Sequence, residues 1–518
     1  MKLILNKKNK LVINKIESNW SKFGNDSFFL FKGYFFYNKE FYFKENLPKF
    51  ILDKEISLNE LNGCYALIIY KENKLKIILD RLGSIPLFYQ KKEDVITIYD
   101  RLYSEDIPNF HIDEISKAEF LAADYVSGEN TLFKEIKEFD TATSNTIYFL
   151  KNNLVFNINK YWNFKRNQKY FGNTKKLEKE YLNILDEVFK DYVSAIKKIN
   201  KPPCLFLSAG LDSRLIAFGL KKHGLYNLKT LTRSSPDRKG DKLGSEIAKL
   251  LNLENIKFNV PTPEDLEKSI FEISNRLKAD QILYDYLLYV SCFRSVPIFH
   301  ILSRFYTYLN RPFLFKKGVY MEGHAGGDFL AGARMLRFDC LLKTNFKNID
   351  KVLYSTFYSK HKVSKEIEDG IKKRIKKQIN ISSKKSKIFL SSIIEKWLLE
   401  NIQRKSLISS MRFFEWIGSD WILPLCDYRL FNFYEKIPYL DLLRKKFYIN
   451  ALRKYFNKDI LSIPREDGSE IKNKIFILDF IENIIKKAYQ KCSRSKKDII
   501  NDNFLGRGII NLIYEKEN

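Results

Sequence analysis

Two acidic turns hold most of the chemistry legible in this chain. The first is Ser208-Ala209-Gly210-Leu211-Asp212-Ser213, set between the apolar run Cys204 to Leu207 and the helix-spaced apolar residues Leu211 to Leu220, which stop at Gly224. An uninterrupted apolar run suits a strand buried on both faces, so the pattern reads strand, turn, helix. Small residues at Ser208, Ala209 and Gly210 let backbone N–H groups approach phosphate oxygens, and the helix that follows turns its positive dipole end to the same point. Hydroxyls at Ser208 and Ser213 add donors. A carboxylate at Asp212 repels a bare phosphate, so it makes best sense as a ligand for Mg²⁺ bridging protein and nucleotide. The Lys-Ser/Thr end of a Walker loop is absent, which argues against γ-phosphate transfer of the P-loop kind. A second turn, Gly323-His324-Ala325-Gly326-Gly327-Asp328, follows Val319-Tyr320-Met321-Glu322 and again places a carboxylate after a buried strand. One such turn alone reads equally as an ordinary strand-to-helix corner; two in one sheet point to a site.

The elements that must hold these turns alternate between strand and helix. A helix is expected over Leu177 to Ile199, and strands over Leu228 to Thr232 and Ile256 to Val260. Between those strands lies a helix comprising Asp241 and Ser245 to Leu253. Such alternation implies a parallel sheet with right-handed crossovers and a ligand at the carboxyl ends of the strands, where Leu207 and Thr232 would meet ATP. Residues 265–315 read as helical and aromatic, with Tyr286 and Tyr289 more often core than pocket lining; 350–410 reads as Lys-rich helix with a solvated face and a core stripe. Residues 1–165 are different: strands over Phe28 to Tyr37, Cys64 to Tyr70, Leu75 to Asp80, Val95 to Tyr99 and two more between Thr146 and Tyr161, with a helix from Asp113 to Tyr125.

At 518 residues the chain is too long for one core. The net charge of +28 invites a nucleic-acid partner. Its lysines are scattered along the whole chain, however, with no arginine-rich arm, finger spacing or aromatic platform motif, which argues against that reading. Six cysteines form no CxxC pair and sit mostly among apolar neighbours, the usage of buried thiols in a reducing cytoplasm. No apolar run approaches a membrane span.

The first turn resembles the Ser-Gly-Gly-x-Asp-Ser loop of the adenylating ATP pyrophosphatases, with Ala209 for a glycine, so the turn must avoid a strongly positive φ there. Asp80-Arg81-Leu82-Gly83-Ser84-Ile85-Pro86-Leu87-Phe88-Tyr89, Gly63 to Leu67, and Thr131-Leu132-Phe133 with Ile136 resemble segments of the class II glutamine amidotransferase domain of asparagine synthetases. The second turn resembles the Gly-Glu-Gly-Gly/Ser-Asp-Glu loop of asparagine and β-lactam synthetases, and Leu423-Pro424-Leu425-Cys426-Asp427 a later segment, with Ile422 replacing an arginine. The resemblance implies an Ntn-type α+β sandwich over 1–165. After it, over 175–518, it implies a doubly wound parallel-sheet ATP-pyrophosphatase domain, of adenine nucleotide α-hydrolase type, with helical additions. It further implies ATP and Mg²⁺ as cofactors. Leu207, Ser208, Ala209, Gly210, Asp212, Ser213, Thr232, Gly326 and Gly327 would lie on the nucleotide, and Asp212 and Asp328 on the metal. Lys446, with Lys445 close behind, would neutralise departing pyrophosphate. The activity implied is carbon–nitrogen ligation through an acyl-adenylate, lasso-peptide cyclases being a further relative.

Three departures bear on that activity. The family's glutaminase uses an N-terminal cysteine exposed on removal of Met, whereas Lys2 follows Met1 and the first cysteine is Cys64. As written, without a longer precursor, this domain is not expected to hydrolyse glutamine. Ala325 and Phe329 fall where asparagine synthetases have acids, leaving Glu322 or His324 as substitute bases. The expected substrate is therefore a small-molecule or peptide carboxylate, amidated with free ammonia, with ammonia from a partner glutaminase, or with an amine. Alternatives are an intramolecular cyclase, a sugar-acid amidotransferase for surface polysaccharide, RNA modification, and an inactive scaffold. A homodimer is compatible with all of them.

Overall fold

The computed structural model describes residues 1–44, 47, 56–166, 174–234, 241–260, 281–295, 299–324, 349–358, 363–379, 387–437, 439–442 and 445–465. The first part is built of β1 (Lys2–Asn6), β2 (Leu11–Lys15), β3 (Ser21–Gly24), β4 (Phe28–Tyr37), β5 (Glu40–Phe43), β6 (Asn62–Lys71), β7 (Lys74–Leu79), β8 (Phe88–Lys92), β9 (Val95–Tyr99), helix α1 (Glu114–Ala123), β10 (Ile136–Glu138), β11 (Thr143–Leu150) and β12 (Asn153–Lys160). They form two antiparallel sheets, ordered β10-β8-β9-β1-β2 and β12-β11-β7-β6-β4-β3, with β5 also on β4. Side-chain alternation explains why β4 is aromatic throughout. Phe28, Leu30, Tyr34 and Phe36 enter the core that also takes Leu3, Leu5, Ile96 and Ile98 of the facing sheet. Phe29, Phe31 and Phe35 point the other way, onto Tyr65, Leu67, Leu61 and Leu47. Helix α1 starts where expected because the Asp113 carboxylate accepts from Ser116 N at 2.7 Å.

The rest follows the alternating pattern. Amphipathic α2 (Thr174–Ile199) leads to β13 (Pro203–Phe206), α3 (Leu211–Lys222), β14 (Lys229–Ser234), α4 (Asp241–Leu250) and β15 (Glu254–Asn259). Helices α5 (Gln281–Tyr289) and α6 (Phe299–Asn310) precede β16 (Val319–Met321). Then come α7 (Ile349–Phe357), α8 (Lys365–Ile379), α9 (Lys387–Trp397), a π-helical segment over Leu398–Leu407, α10 (Arg412–Trp416), β17 (Asp420–Trp421), α11 (Tyr428–Lys436), α12 (Tyr439–Leu442), α13 (Lys446–Tyr455) and α14 (Lys458–Ser462). Strands pair in the order β15-β14-β13-β16-β17, every neighbouring pair parallel. Counted along this sheet the order is 3-2-1-4-5, which is doubly wound and reverses between β13 and β16. Ligands of such sheets bind at the carboxyl ends on either side of that reversal.

In the helical parts, core is the outcome for the aromatic stripe, and the Lys-rich stretch carries both a solvated face and a buried one. Tyr286 and Tyr289 are core: Tyr286 stacks on Phe305 at 4.5 Å, and Tyr289 Oη accepts from Asn19 and donates to Glu415. The Lys-rich stretch is a solvated helix over α8, where only Ile371 and Ile375 are buried, but the π-helical segment buries Asn401, Gln403, Arg404, Lys405 and Ser406. Asn401, Arg404 and Lys405 find partners in the sandwich. Glu138, fully buried, faces three cations: Arg294, Arg404 at 2.9 Å and Lys405 at 3.4 Å. Lys405 also donates to Val126 O and Gly128 O, both at 2.6 Å. Burial drives the Lys405 ammonium down to about 8, against the pull of Glu138 and with the push of Arg404 and Arg294.

Among the described residues no helix is long and apolar enough to cross a membrane. Cys64, Cys204, Cys292 and Cys426 are buried free thiols, whereas Cys340 and Cys492 lie outside the described residues.

The Lys405 value carries a stability consequence. Because the folded value of about 8 lies below the ordinary 10.5, the unfolded chain holds the extra proton between those pH values. Stability contributed by this residue therefore rises with pH across that window and is flat below it. In urea unfolding from pH 7 to 10.5, the stability of the wild type relative to Lys405→Met is expected to climb above about pH 8; a difference independent of pH would show that the lysine is not depressed.

Candidate functional site

The first acidic turn is a tight corner between β13 and α3. Gly210 caps α3 from extended backbone (φ −65°, ψ 157°), and Ala209 is not among the left-handed residues, so the alanine meets no penalty there. Ser208 is exposed and Gly210 half-buried at the carboxyl edge of the sheet. Both serine hydroxyls are used within the loop: Ser213 Oγ accepts from Ser208 N at 3.1 Å and donates to Ser208 O at 3.2 Å, while Ser208 Oγ accepts from Gly210 N at 3.1 Å. The hydroxyls thus brace the corner that presents the start of α3.

Asp212 stands in the first turn of α3, where the helix dipole favours an acid. Its Oδ1 accepts from Tyr448 Oη at 2.6 Å, reaching over from α13. Tyr448 is fully buried. Burial, then the Asp212 carboxylate, pushes its phenol well above the ordinary range, so it remains a donor. Beneath Asp212, buried Arg214 donates to four backbone carbonyls: Ala209 at 2.9 Å, Ile460 at 3.1 Å, Ile463 at 2.8 Å and Pro464 at 3.0 Å. The segment ending at Ile463 and Pro464 is therefore pinned to the corner by this arginine.

The start of the second turn, Gly323, lies against the first. Parallel pairing of β13 with β16 sets Leu205 opposite Met321, so both strands deliver their chains to the same edge. A β-carbon at Gly323 would lie 2.7 Å from Asp212 Cβ and 2.9 Å from Ser213 N, a separation only glycine permits. Glu322 is not available as a base. It is buried in an ion pair with Arg304 and lies 2.6 Å from His324 Nε2. Burial raises its carboxyl, but Arg304 and His324 outweigh that and hold it well below the ordinary value. His324 is half-buried and lies 3.2 Å from Ser410 Oγ. Asp328, Gly326, Gly327, Ala325 and Phe329 lie outside the described residues.

Leu207 and Thr232 are brought together but face inward. Leu207 N donates to Leu231 O, Leu207 O accepts from Thr232 Oγ1 at 3.2 Å, and Thr232 Oγ1 accepts from Asn255. Both side chains are buried, so their part at the edge is to set the strand ends. Lys446 is exposed at the start of α13, two residues before Tyr448; Lys445 is half-buried in a left-handed conformation, φ 59° and ψ 25°. Two contributors went unread in the sequence. Arg214 lay inside the motif run, and Tyr448 shares the short Lys-rich stretch, but neither has a spacing that announces its partner.

A bound MgATP fits what is present. The corner offers an exposed small-residue turn, a helix N-terminus and one carboxylate, and no group of three or more metal-ligating side chains occurs among the described residues. Mg²⁺ is commonly held by one or two carboxylates plus substrate phosphates, which matches such a donor set.

The amidotransferase signatures turn out to be fold-holding devices. Asp80, fully buried, accepts from Leu82 N at 2.8 Å, Tyr65 N at 3.0 Å and Ser84 Oγ at 2.5 Å. Gly83 is left-handed, φ 55°, with Arg404 Nε 2.9 Å from where a β-carbon would sit. Thr131 Oγ1 donates to Ile136 O and accepts from Phe133 N, closing its loop. Lys2 pairs with Asp106, and Cys64 is a core thiol that accepts from Tyr34 Oη.

Comparison with known proteins fits this part of the molecule. Residues 54–162 match the family model of the glutamine amidotransferase domain. The chain is 30% identical over 177 residues to asparagine synthetase [glutamine-hydrolyzing] 3 of Bacillus subtilis (strain 168), a match covering 33% of this chain and 27% of that protein. The N-terminal region thus groups with the amidotransferase domains of the asparagine synthetase family; the chain spans about a quarter of the length of that curated relative. Solved structures that are similar include the NH3-dependent NAD synthetase of Campylobacter jejuni (TM-score 0.20, 17% identity, 44% of this chain and 96% of that one). Another is the NMN synthetase of Francisella tularensis (TM-score 0.19, 12% identity, 53% and 96%). At those scores the likeness carries no argument, and the doubly wound assignment stands on the strand order itself.

The Gly323 contact makes a direct prediction. Gly323→Ala must push the second turn off the first, because the obstructing atoms belong to backbone and to a Cβ. Binding of an ATP analogue with Mg²⁺, measured by calorimetry, is expected to weaken about tenfold or more. Unchanged affinity would separate the turn from the nucleotide.

Proposed function

We propose that the chain is an ATP-dependent amide ligase of the asparagine synthetase kind, forming AMP and pyrophosphate, with residues 1–165 as an amidotransferase-like unit and 175–518 as the synthetase unit. The observation that carries this reading is the contact of Gly323, where the second turn begins, with Asp212 in the first, at the reversal point of a 3-2-1-4-5 parallel sheet.

In this reading the backbone of 208–211 and the N-terminus of α3 hold the nucleotide's phosphates, and Asp212 with Asp328 holds Mg²⁺ on them. The metal, when bound, neutralises charge on the pyrophosphate as the α,β bond breaks. A small-molecule or peptide carboxylate attacks the α-phosphorus, pyrophosphate leaves, and an amine or ammonia displaces AMP from the activated acyl group. The protein's share is orientation, exclusion of water and compensation of charge on the leaving pyrophosphate. A cation at the start of α13 serves the last purpose, Lys446 at the exposed position or Lys445 at the half-buried one. Nitrogen is supplied as ammonia, free or from a partner glutaminase, or by an amine.

Exchange of labelled pyrophosphate into ATP, run against amino acids, sugar acids and peptides with ammonium chloride or glutamine present, tests the reading. Exchange is expected with one carboxylate class. Asp212→Asn should lower it by about a hundredfold or more, and Lys446→Met or Lys445→Met by a similar factor, whichever cation faces the phosphates. Amide formation should proceed with ammonium and not with glutamine. Absence of exchange with every acid, together with absence of MgATP binding, would instead identify an inactive scaffold.

A further inference from the structure

The nucleotide corner is not held by its own elements alone. Two side chains running in opposite directions join α3 to the segment 446–464: Tyr448 reaches from α13 to Asp212, and Arg214 reaches from α3 to the carbonyls of Ile460, Ile463 and Pro464. The Tyr448 ring is placed independently of its hydroxyl, packed edge-on against Tyr181, which itself accepts from Tyr434 Oη at 2.9 Å. That ring cluster belongs to α2, α11 and α13, outside the acidic turns.

We propose that Tyr448 is a positioning residue for Asp212: its hydroxyl fixes the orientation in which that carboxylate meets nucleotide-bound Mg²⁺, so that metal-nucleotide affinity depends on the docked 446–464 segment. The proposal rests on the nucleotide reading of the corner. Asp212 lies between Leu211 and Ser213 in the first turn of the helix, and a short charge-assisted hydrogen bond narrows the orientations its carboxylate can take. Groups that orient a metal ligand in this way typically govern metal affinity by about 10- to 100-fold. Arg214 supports the same coupling from beneath. It draws the end of the segment onto Ala209 O, so the segment is tied to the corner on both sides of Asp212.

The test is Tyr448→Phe, which keeps the ring and its packing and removes only the donor. Calorimetry with α,β-methylene-ATP is run on the wild type and the variant, once with Mg²⁺ and once in EDTA, together with a Mg²⁺ titration at fixed analogue. The expected result is an analogue affinity reduced about tenfold with Mg²⁺ and unchanged in EDTA, with a raised Mg²⁺ midpoint and an unaltered thermal midpoint. Wild-type affinity and Mg²⁺ midpoint in the variant overturn the positioning role while leaving the nucleotide reading intact. Equal weakening with and without Mg²⁺ also overturns it, because packing rather than metal orientation would then be at fault. If the wild type itself binds no analogue, the nucleotide reading falls first and this inference with it.

Discussion

The space between Gly323 and Asp212 is too small for a β-carbon, and the carboxyl edge of the parallel sheet depends on that closeness. It follows from the pairing of β13 with β16, whose register sets Leu205 opposite Met321 and sends both chains off the same edge. A shift of either strand would part the two turns. Parallel strands cannot be joined by a hairpin, and β13 and β16 come from positions more than a hundred residues apart. The meeting of the turns is therefore a property of the whole sheet and of neither motif.

Charge buried between the sandwich and the helical additions is the second constraint. Glu138 gathers Arg294, Arg404 and Lys405, and Arg404 in turn occupies the room left by Gly83. Arg412 donates to Asp100 O and Ser291 Oγ. Tyr34 Oη accepts from Leu423 N, and Asn62 bridges Asp427 and Tyr428 N. Buried ion pairs of this kind add little net stability but are costly to break one partner at a time. They favour one arrangement of the sandwich against the π-helical segment and the turn at Leu423 to Asp427, because any other would strand a charge.

The seam also changes what the amidotransferase signatures mean. Asp80, Gly83 and Thr131 hold turns, and Gly83 additionally admits a side chain from the later part of the chain. Matching over 54–162 speaks for the ancestry of this unit.

Much of the fold was legible in the residues themselves. Apolar runs and helix-spaced stripes placed β4, β6, β7, β9, α2, α3, β14 and α4 to within a few residues, because burial on one or both faces writes a period of two, a period near 3.6, or an unbroken run. The corner at Ser208 to Asp212 was legible for the same reason, its small residues and acid being local requirements. The short strands β3, β5, β8, β10 and β17 were not, since their residues become strands only by pairing with others. Nor were the roles of charged residues: Glu322 read as a substitute base and is an ion-pair partner, and nothing in the sequence set Lys405 apart from the solvated lysines around it, yet it is buried. A charge announces that it needs a partner, and only the folded chain decides whether that partner is water, a carbonyl or another charge. The sequence by itself determined which residues could form a nucleotide corner; tertiary structure decided that Gly323 lies against it and that Tyr448 grips its acid, because contacts between distant segments leave no period in the chain.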